Sequence, residues 1–220
     1  MPPRIKPLIS SRKQPKQARS TELVSAIVQA AIQVLEKEGA ARFTTARVAE
    51  KAGVSVGSVY QYFPNKAAIL FRLQSDEWQQ TLGTLEAILG NQQVPPMERL
   101  RTLVQVFIKS ECEEAKLRQA LNDAAPLYRD APEAKESSAV GDVIYERFIA
   151  EVLPEASTEQ RRVAFELLTT TLGSVGSSYS IHPHNDDDIH LFSDALADML
   201  IAWLKAVQAE ASHSSDNGIR

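Results

Sequence analysis

Apolar residues recur at intervals of three and four positions along almost the whole chain of 220 residues, and this spacing restricts the fold more than any other feature. The pattern begins near Leu23 and Ile27 and is still present at Trp203 and Val207. We find no alternating run of β-branched residues between turn signals, which strands would require, and no internal repeat. The sequence therefore predicts an all-α fold.

Residues of the kinds that cap helices interrupt this pattern at short intervals in the first third of the chain. Threonine and serine side chains accept hydrogen bonds from the first backbone N–H groups of a helix, whereas glycine ends helices in a left-handed conformation. These residues predict a first helix ending at Gly39, a second from the cap Thr44 to Gly53, a third from the cap Ser55 to Pro64, and a fourth from Lys66 to Gly90.

Further helices are predicted beyond residue 90. Two capping boxes indicate helix starts, one at Ser110 with Glu113 and one at Ser157 with Gln160. The last two strong helices span about 158–180 and 188–208, and a loose polar tail follows at 211–220. The predicted organisation is a flexible basic arm at 1–18, a three-helix domain at 19–66 and a helical domain at 67–210.

The formal net charge of −4 conceals a strong division of charge along the chain. Residues 1–66 carry 11 basic and 4 acidic side chains, a net charge of +7, whereas residues 67–220 carry 13 basic and 24 acidic side chains, a net charge of −11. A basic footprint favours contacts with phosphate groups. Five of the basic residues lie within the first 16 positions, so a solvated tail explains part of this charge equally well.

Composition also disfavours several classes of protein. No apolar run approaches the roughly 18–20 residues of a membrane span, and the first residues lack the apolar stretch of a secretory signal, so we expect a soluble cytoplasmic protein. The single cysteine, Cys112, cannot form an intrachain disulfide. His182, His184 and His190, with the acids at 186–188, fit no standard zinc or calcium loop. We therefore expect neither a metal nor a cofactor.

The segment from Phe43 to Lys66, FTTARVAEKAGVSVGSVYQYFPNK, has the spacing of two short helices joined by a tight turn. Val48, Ala49 and Val59 are spaced to share a small core, and Gly53 permits the sharp turn between the helices. This is the geometry of a helix-turn-helix, which projects its second helix outward to lie in a major groove of DNA. Hydroxyl, amide and small groups, which suit phosphates and base edges, remain on the outer side of that helix, at Ser55, Val56, Gly57, Ser58, Tyr60, Gln61 and Tyr62.

The arrangement T-x-x-x-V-A-x-x-A-G-V-S-x-G-x-V-Y-x-Y-F-x-N-K, from Thr45 to Lys66, closely resembles the DNA-binding signature of the TetR family of transcriptional regulators. The resemblance implies that Thr45, Tyr60 and Lys66 contact phosphates. It also makes Ser55, Val56, Ser58, Gln61 and Tyr62 candidates for contacts with bases or the adjacent backbone.

One departure from the family pattern lies in the second helix. Ala46 occupies a position where some family members place an arginine, and Arg47 follows it instead. Arg47 is either a DNA contact or an ordinary exposed charge. Phe63 is expected to be a core residue beside Ile69 and Leu70, and the basic arm either contacts DNA or is a solubilising extension.

The resemblance implies a ligand-responsive regulator, usually a repressor, with an N-terminal DNA-binding domain and a C-terminal helical domain for ligand binding and dimerisation. The helices near 158–180 and 188–208 would form a homodimer through a four-helix interface, with burial supplied by Phe192, Met199, Leu200 and Trp203. The partners expected are a double-stranded DNA operator and a small-molecule effector, with no membrane.

Two other classes of function are less well supported. An enzyme is disfavoured because the sequence has no Gly-rich phosphate loop, no nucleophile elbow and no metal triad. An architectural protein that binds DNA without specificity is disfavoured by the net charge of −11 on residues 67–220, which repels a polyanion outside an aligned contact surface.

Overall fold

The computed structural model describes Ile9, residues 18–129 and residues 132–217, and these residues form helices without any β-strand. This confirms the expected all-α fold. The helices are α1 (Ala18–Arg42), α2 (Thr45–Ala52), α3 (Val56–Tyr62), α4 (Lys66–Leu89), α5 (Pro96–Glu113), α6 (Ala115–Ala124), α7 (Pro132–Val152), α8 (Thr158–Tyr179) and α9 (Asp186–Asn217), with a 3-10 turn at Ala125–Leu127.

The chain divides into two compact units, and the division differs from the boundary at residue 66 expected from the sequence. The first unit contains Met1–Gln80 and Lys116–Ser138, and the second contains Thr81–Ala115 and Ala139–Arg220. The first part of α4 and nearly all of α6 therefore belong to the unit that carries α1, α2 and α3. Apart from Ile9 and Ala18, the arm lies outside the described residues, so both of its interpretations, a DNA contact and a solubilising extension, stay predictions.

The core of the first unit is built from the inner faces of its helices. Ile27, Leu35, Phe43, Phe63 and Leu70 are among the side chains almost wholly removed from solvent there. Full burial of an aliphatic or aromatic side chain of this size stabilises the folded state by roughly 1.5–3 kcal/mol. The prediction that Phe63 is a core residue is confirmed.

A chain of polar contacts joins α6 and the following turn to α4 within the first unit. The buried hydroxyl of Tyr128 lies 2.9 Å from the Leu121 carbonyl oxygen and 3.1 Å from Gln74 Oε1, and its hydrogen is donated to these acceptors. Gln74 in turn donates through Nε2 to Glu77 Oε2 at 3.0 Å, and Arg118 Nη1 lies 2.7 Å from Glu77 Oε1. Burial raises the pKa of Tyr128, so its hydroxyl remains a donor.

The second unit is organised around α5, which packs against α8 and α9. Its core contains Leu100, Val104, Phe148, Leu168 and Leu200, with many similar residues from the same helices. Arg99 is buried as well. Its guanidinium donates to the Leu89 carbonyl oxygen and pairs with Glu151, while lying 5.6 Å from the centre of the Phe148 ring. Arg99 thus holds together the end of α4, the start of α5 and the end of α7.

The capping predictions for the second unit were right at one position and wrong at the other. Ser157 Oγ accepts a bond from Gln160 N at 3.2 Å and the Gln160 side chain accepts one from Ser157 N at 2.9 Å, which confirms the capping box of α8. Ser110 opens no helix, because the apolar face of α5 continues through the buried Ile108 and keeps the chain helical to Glu113.

Two expectations about the last helix also need correction. The tail at 211–220 is not loose throughout, because α9 continues to Asn217 and Ala211 is buried on its inner face. Leu200 does not supply burial for a partner subunit, because it is only 2% exposed within the chain's own core. Met199, which lies next to it on the helix, is 54% exposed.

The polar turn between α8 and α9 is held by contacts within the chain. The ring of Tyr179 stacks on His184 and on Phe192 with 3.8 Å between ring centres in each pair, and His184 Nε2 lies 2.9 Å from the Tyr179 carbonyl oxygen. His190 Nδ1 lies 2.9 Å from Asp194 Oδ2. In the described part of the chain, no group of three His, Cys, Asp or Glu residues is arranged to hold a metal ion. Likewise, none of the helices described there is long and apolar enough to cross a membrane.

Candidate nucleic-acid interface

Helices α2 and α3 form a helix-turn-helix because a small apolar core and a glycine turn hold them together. Val48, Ala49 and Val59 are almost completely buried where the two helices meet, as their spacing predicted. Gly53 adopts φ 69° and ψ 28°, a left-handed conformation that side chains other than glycine enter at a cost. The N–H of Val54 then donates to the Ala49 carbonyl oxygen at 3.0 Å and closes the turn.

Both helices are too short to be stable alone, so their caps matter. The side chain of Thr44 accepts a hydrogen bond from Arg47 N at 3.3 Å at the start of α2. Ser55 Oγ accepts one from Ser58 N at 3.0 Å at the start of α3, and the two serine hydroxyl oxygens lie 2.8 Å apart. Both N-caps predicted from the sequence are confirmed.

The outer face of α3 presents a mixed polar surface to solvent. Ser58 is half-buried beside its cap, and Tyr60 is 42% exposed. The remaining predicted contact residues on this face are exposed, and they are Ser55, Val56, Gly57 and Gln61. Small residues at the start of the helix permit close approach to another surface, while the tyrosine and glutamine offer hydrogen-bonding groups farther along.

Two predicted contact residues lie in a different environment from the one expected. Tyr62 was assigned to the outer side of α3, but it is only 7% exposed and belongs to the core of the first unit. Thr45 is 8% exposed, so most of its side chain is covered. Thr45 is nevertheless the first residue of α2, where backbone N–H groups lack helical acceptors and attract an anion.

A second helix start lies at Lys66, the first residue of α4. Lys66 is exposed, and Asn65 Oδ1 accepts a hydrogen bond from Ala68 N at 2.9 Å. A lysine ammonium beside the N-terminus of a long helix is a favourable place for a phosphate, because the helix dipole adds to the charge.

Arg47 is placed on α2, but its guanidinium is directed back toward the end of α1. Nη1 pairs with the Glu38 carboxylate and donates to the Arg42 carbonyl oxygen at 3.2 Å. Arg47 is therefore an ion-paired side chain that is still 43% exposed, and both of its interpretations, a DNA contact and an ordinary exposed charge, stay predictions.

Sequence reasoning missed two residues that shape this site. Asn65 was not identified as an N-cap, although an asparagine immediately before an apolar helix is an N-cap signal. Glu38 was counted only in the net charge of residues 1–66, since its pairing with Arg47 crosses the bend at Gly39 and no local pattern indicates it.

The α2–α3 geometry, with its exposed polar face beside the starts of α2 and α4, defines the class of protein. It is a helix-turn-helix protein, a class whose second helix lies in a major groove of DNA.

Comparisons with known proteins identify the family. Residues 95–208 match the family described as "Tetracyclin repressor-like, C-terminal domain", and residues 27–73 match "Bacterial regulatory proteins, tetR family". The chain belongs to the TetR family of transcriptional regulators, which are DNA-binding proteins and not enzymes.

Individual relatives share part of the sequence or the overall fold. The nucleoid occlusion factor SlmA of Vibrio atlanticus is 34% identical over 83 residues, which cover 37% of this chain and only 42% of that protein. The fatty acid degradation regulator FadR from Bacillus halodurans is 20% identical and has a TM-score of 0.66, covering 86% of this chain and 97% of the other. FadR from Bacillus subtilis, in complex with stearoyl-CoA, is 20% identical with a TM-score of 0.61, covering 81% and 97%. At these identities the structural likeness establishes the fold alone.

Proposed function

We propose that this chain is a dimeric transcriptional repressor that a small molecule releases from its operator. The observation that carries the proposal is the exposed polar face of α3, supported on a buried core and flanked by the helix starts at Thr45 and Lys66. A repressor works in the compartment that holds the chromosome, so we propose the cytoplasm as its location.

DNA recognition is proposed to divide between phosphate anchors and a reading face. Lys66, Tyr60 and the N-terminus of α2 at Thr45 would hold the DNA backbone, while Gln61 and the residues near Ser55 would meet base edges. Gln61 is the only side-chain amide on α3, and an amide that bonds a base in two places discriminates against a wrong base by about 1–3 kcal/mol.

The test begins with an operator selected from a random duplex pool. Binding to this operator should exceed binding to a scrambled duplex by at least about 10³ at physiological salt. Gln61→Ala should weaken the selected operator more than the scrambled duplex. Lys66→Gln should weaken both equally and lower the salt dependence of log K by roughly 0.9 for each lost contact. Equal affinity of the unaltered protein for both duplexes would refute the proposal.

Dimerisation is proposed through α8 and α9, because each exposes apolar residues on one side. On α8 these are Val163 and Leu167, each 42% exposed and one helical turn apart. On α9 an exposed apolar stripe at helical spacing contains Leu191, Ala195, Met199, Ala202 and Ala206. Two-fold pairing of these faces would bury both stripes and give the symmetry that paired half-sites require.

Oligomeric state tests this interface directly. Leu167→Glu and Met199→Glu should each shift the protein toward monomer in analytical ultracentrifugation. Val106→Glu is the matched control, since Val106 is a similarly exposed apolar residue on α5 of the same unit. Dimers that survive both substitutions, or that are lost equally with the control, would exclude this interface.

The proposed effector site is an open apolar groove between α4 and α7 in the second unit. The groove has a volume of about 660 Å³, and the Arg147–Glu86 ion pair, with an N–O distance of 2.6 Å, lies at its edge. Its wall is formed by Leu82, Gly83, Val140, Val143 and Ile144. This volume suits a drug-sized ligand, and the wall suits an apolar one. FadR of Bacillus subtilis binds stearoyl-CoA, whose long acyl chain is an apolar ligand of the kind that such a wall would suit.

A neutral apolar fluorophore, N-phenyl-1-naphthylamine, is a suitable probe of the groove. We expect its fluorescence to rise on binding, Val143→Asp to weaken binding, and Val106→Asp to leave it unchanged. By linkage, the probe must weaken operator binding by the same factor by which the operator weakens probe binding. A probe that binds equally well with and without operator would show that the groove is not the effector site.

A further inference from the structure

We infer that Arg47 is a positioning residue for DNA binding, which acts through Glu38, and that it is not a phosphate contact. The inference goes beyond the proposed function by assigning Arg47 and Glu38 a joint role that the DNA-binding signature does not contain. It rests on the proposal that α3 binds DNA.

The contacts of Arg47 surround the bend at the end of α1. Gly39 interrupts α1 with φ 72° and ψ 171°, and the last residue of the helix is Arg42. From α2, the Arg47 guanidinium pairs with Glu38 before the bend and donates to the Arg42 carbonyl oxygen after it. One side chain therefore ties α2 to both sides of the bend.

These contacts satisfy groups that would otherwise lack partners. The Arg42 carbonyl is among the last carbonyls of α1, and no N–H group of the helix is available to donate to these carbonyls. Cationic side chains near the end of a helix commonly donate to them instead. Glu38 is half-buried, so its carboxylate depends on Arg47 more than a fully exposed one would. The backbone N–H of Arg47 is meanwhile held by the Thr44 cap, which fixes the residue from which the guanidinium extends.

A phosphate contact would conflict with this arrangement. If the guanidinium moved to a phosphate, the Glu38 carboxylate would lose its cation while a polyanion lies next to α2. The resulting repulsion opposes the gain from the new contact. Staying paired, Arg47 neutralises Glu38 and fixes the start of α2, whose first backbone N–H groups lie at Thr45.

The test uses Arg47→Gln, Glu38→Gln, the double variant and the charge-swapped pair Glu38→Arg with Arg47→Glu. We expect each single variant to lower operator affinity by about two- to fivefold per half-site, as for other partly exposed ion pairs, and the double variant to lose no more than either single one. The charge-swapped protein should regain part of the loss, because the ion pair is restored at the same net charge, whereas the bond to the Arg42 carbonyl oxygen is not, since a carboxylate cannot donate it.

The salt dependence of binding separates positioning from phosphate contact. Arg47→Gln should leave the slope of log K against log salt unchanged, whereas a lost phosphate contact reduces it by roughly 0.9 per protomer. Lys66→Gln is the control that should reduce it. A reduced slope for Arg47→Gln, tighter binding by Glu38→Gln, or failure of the charge swap to recover affinity would each overturn the inference.

A measurement without DNA keeps this test independent of the proposed function. Hydrogen exchange of the backbone amides from Gly39 to Phe43 should be faster in Arg47→Gln and Glu38→Gln and slowed again in the charge-swapped pair. Unchanged exchange in all variants would refute the positioning role. Absence of specific DNA binding by the unaltered protein would refute the proposed function alone.

Discussion

Replacing Tyr128 with phenylalanine removes one buried oxygen from the contact between α4 and the segment after α6. The hydroxyl lies 2.9 Å from the Leu121 carbonyl oxygen and 3.1 Å from Gln74 Oε1, and the Tyr128 side chain is only 3% exposed. Phenylalanine has nearly the same shape as tyrosine, so the substitution leaves no cavity and its effect isolates these hydrogen bonds.

The size of the effect follows from what remains behind. Gln74 is itself buried, and its Oε1 loses the donor that Tyr128 supplies. A buried acceptor left without a partner costs about 1–3 kcal/mol, whereas removing both partners of a bond is nearly neutral. We expect Tyr128→Phe to lower the free energy of unfolding of the first unit by about 1–2 kcal/mol. For a unit of this size, each kcal/mol lowers Tm by about 4–8 °C.

Thermal unfolding of the DNA-free protein by differential scanning calorimetry measures this loss. Tyr60→Phe is the control, because its hydroxyl belongs to an exposed side chain in the same unit, and its Tm should not change. In a Gln74→Met background, Tyr128→Phe should lower the free energy of unfolding by a smaller amount, since one of the acceptors that would lose its donor is already absent. An unchanged Tm for Tyr128→Phe, or the same loss in both backgrounds, would refute the reasoning.

Three further predictions concern the turn, one tyrosine and one cap. Gly53→Ala should lower the free energy of unfolding, measured in urea, by about 1–2 kcal/mol, because the φ of 69° at this position strains a residue with a Cβ. Gly53→Asn should lower it by less, since asparagine enters this region more readily. Burial raises the pKa of Tyr145 to about 12. The pKa of tyrosine in the unfolded chain is about 10, so the free energy of unfolding keeps its full value below pH 10 and falls by about 2–3 kcal/mol as the pH rises to 12. Tyr145→Phe should abolish this fall when unfolding is measured against pH. Ser157→Ala should lower stability by about 1 kcal/mol, and Ser157→Asp should restore most of it in the same assay.

Local chemistry explains which parts of the fold could be predicted from the sequence. The N-caps Thr44, Ser55 and Ser157 and the turn at Gly53 were predicted correctly, because a cap or a left-handed turn depends on residues within a few positions. Ser110 was predicted wrongly, because the same serine pattern also occurs inside a helix that long-range packing continues.

Burial was harder to predict than helix ends, since it depends on distant neighbours. Helix α3 has only seven residues, two turns, so its sequence does not determine whether Tyr62 lies toward the core or toward solvent. Leu200 and Met199 are adjacent apolar residues on α9, and the packing of the second unit's core distinguishes the buried one from the exposed one. The return of α6 to the first unit and the pairing of Arg47 with Glu38 are likewise contacts that no periodicity indicates.

The division of charge becomes more informative when it follows the compact units instead of the predicted boundary. The first unit carries 16 basic and 10 acidic side chains, a net charge of +6, and the second carries 8 and 18, a net charge of −10. Within the first unit, Arg47 and Arg118 are paired with Glu38 and Glu77, so neither charge is free for DNA. Attraction to phosphate must then come from fewer cations than the sequence count implies. The contacts proposed for α3 and Lys66 would favour a specific site over random DNA, because only the aligned position brings them together against the repulsion of the acidic second unit.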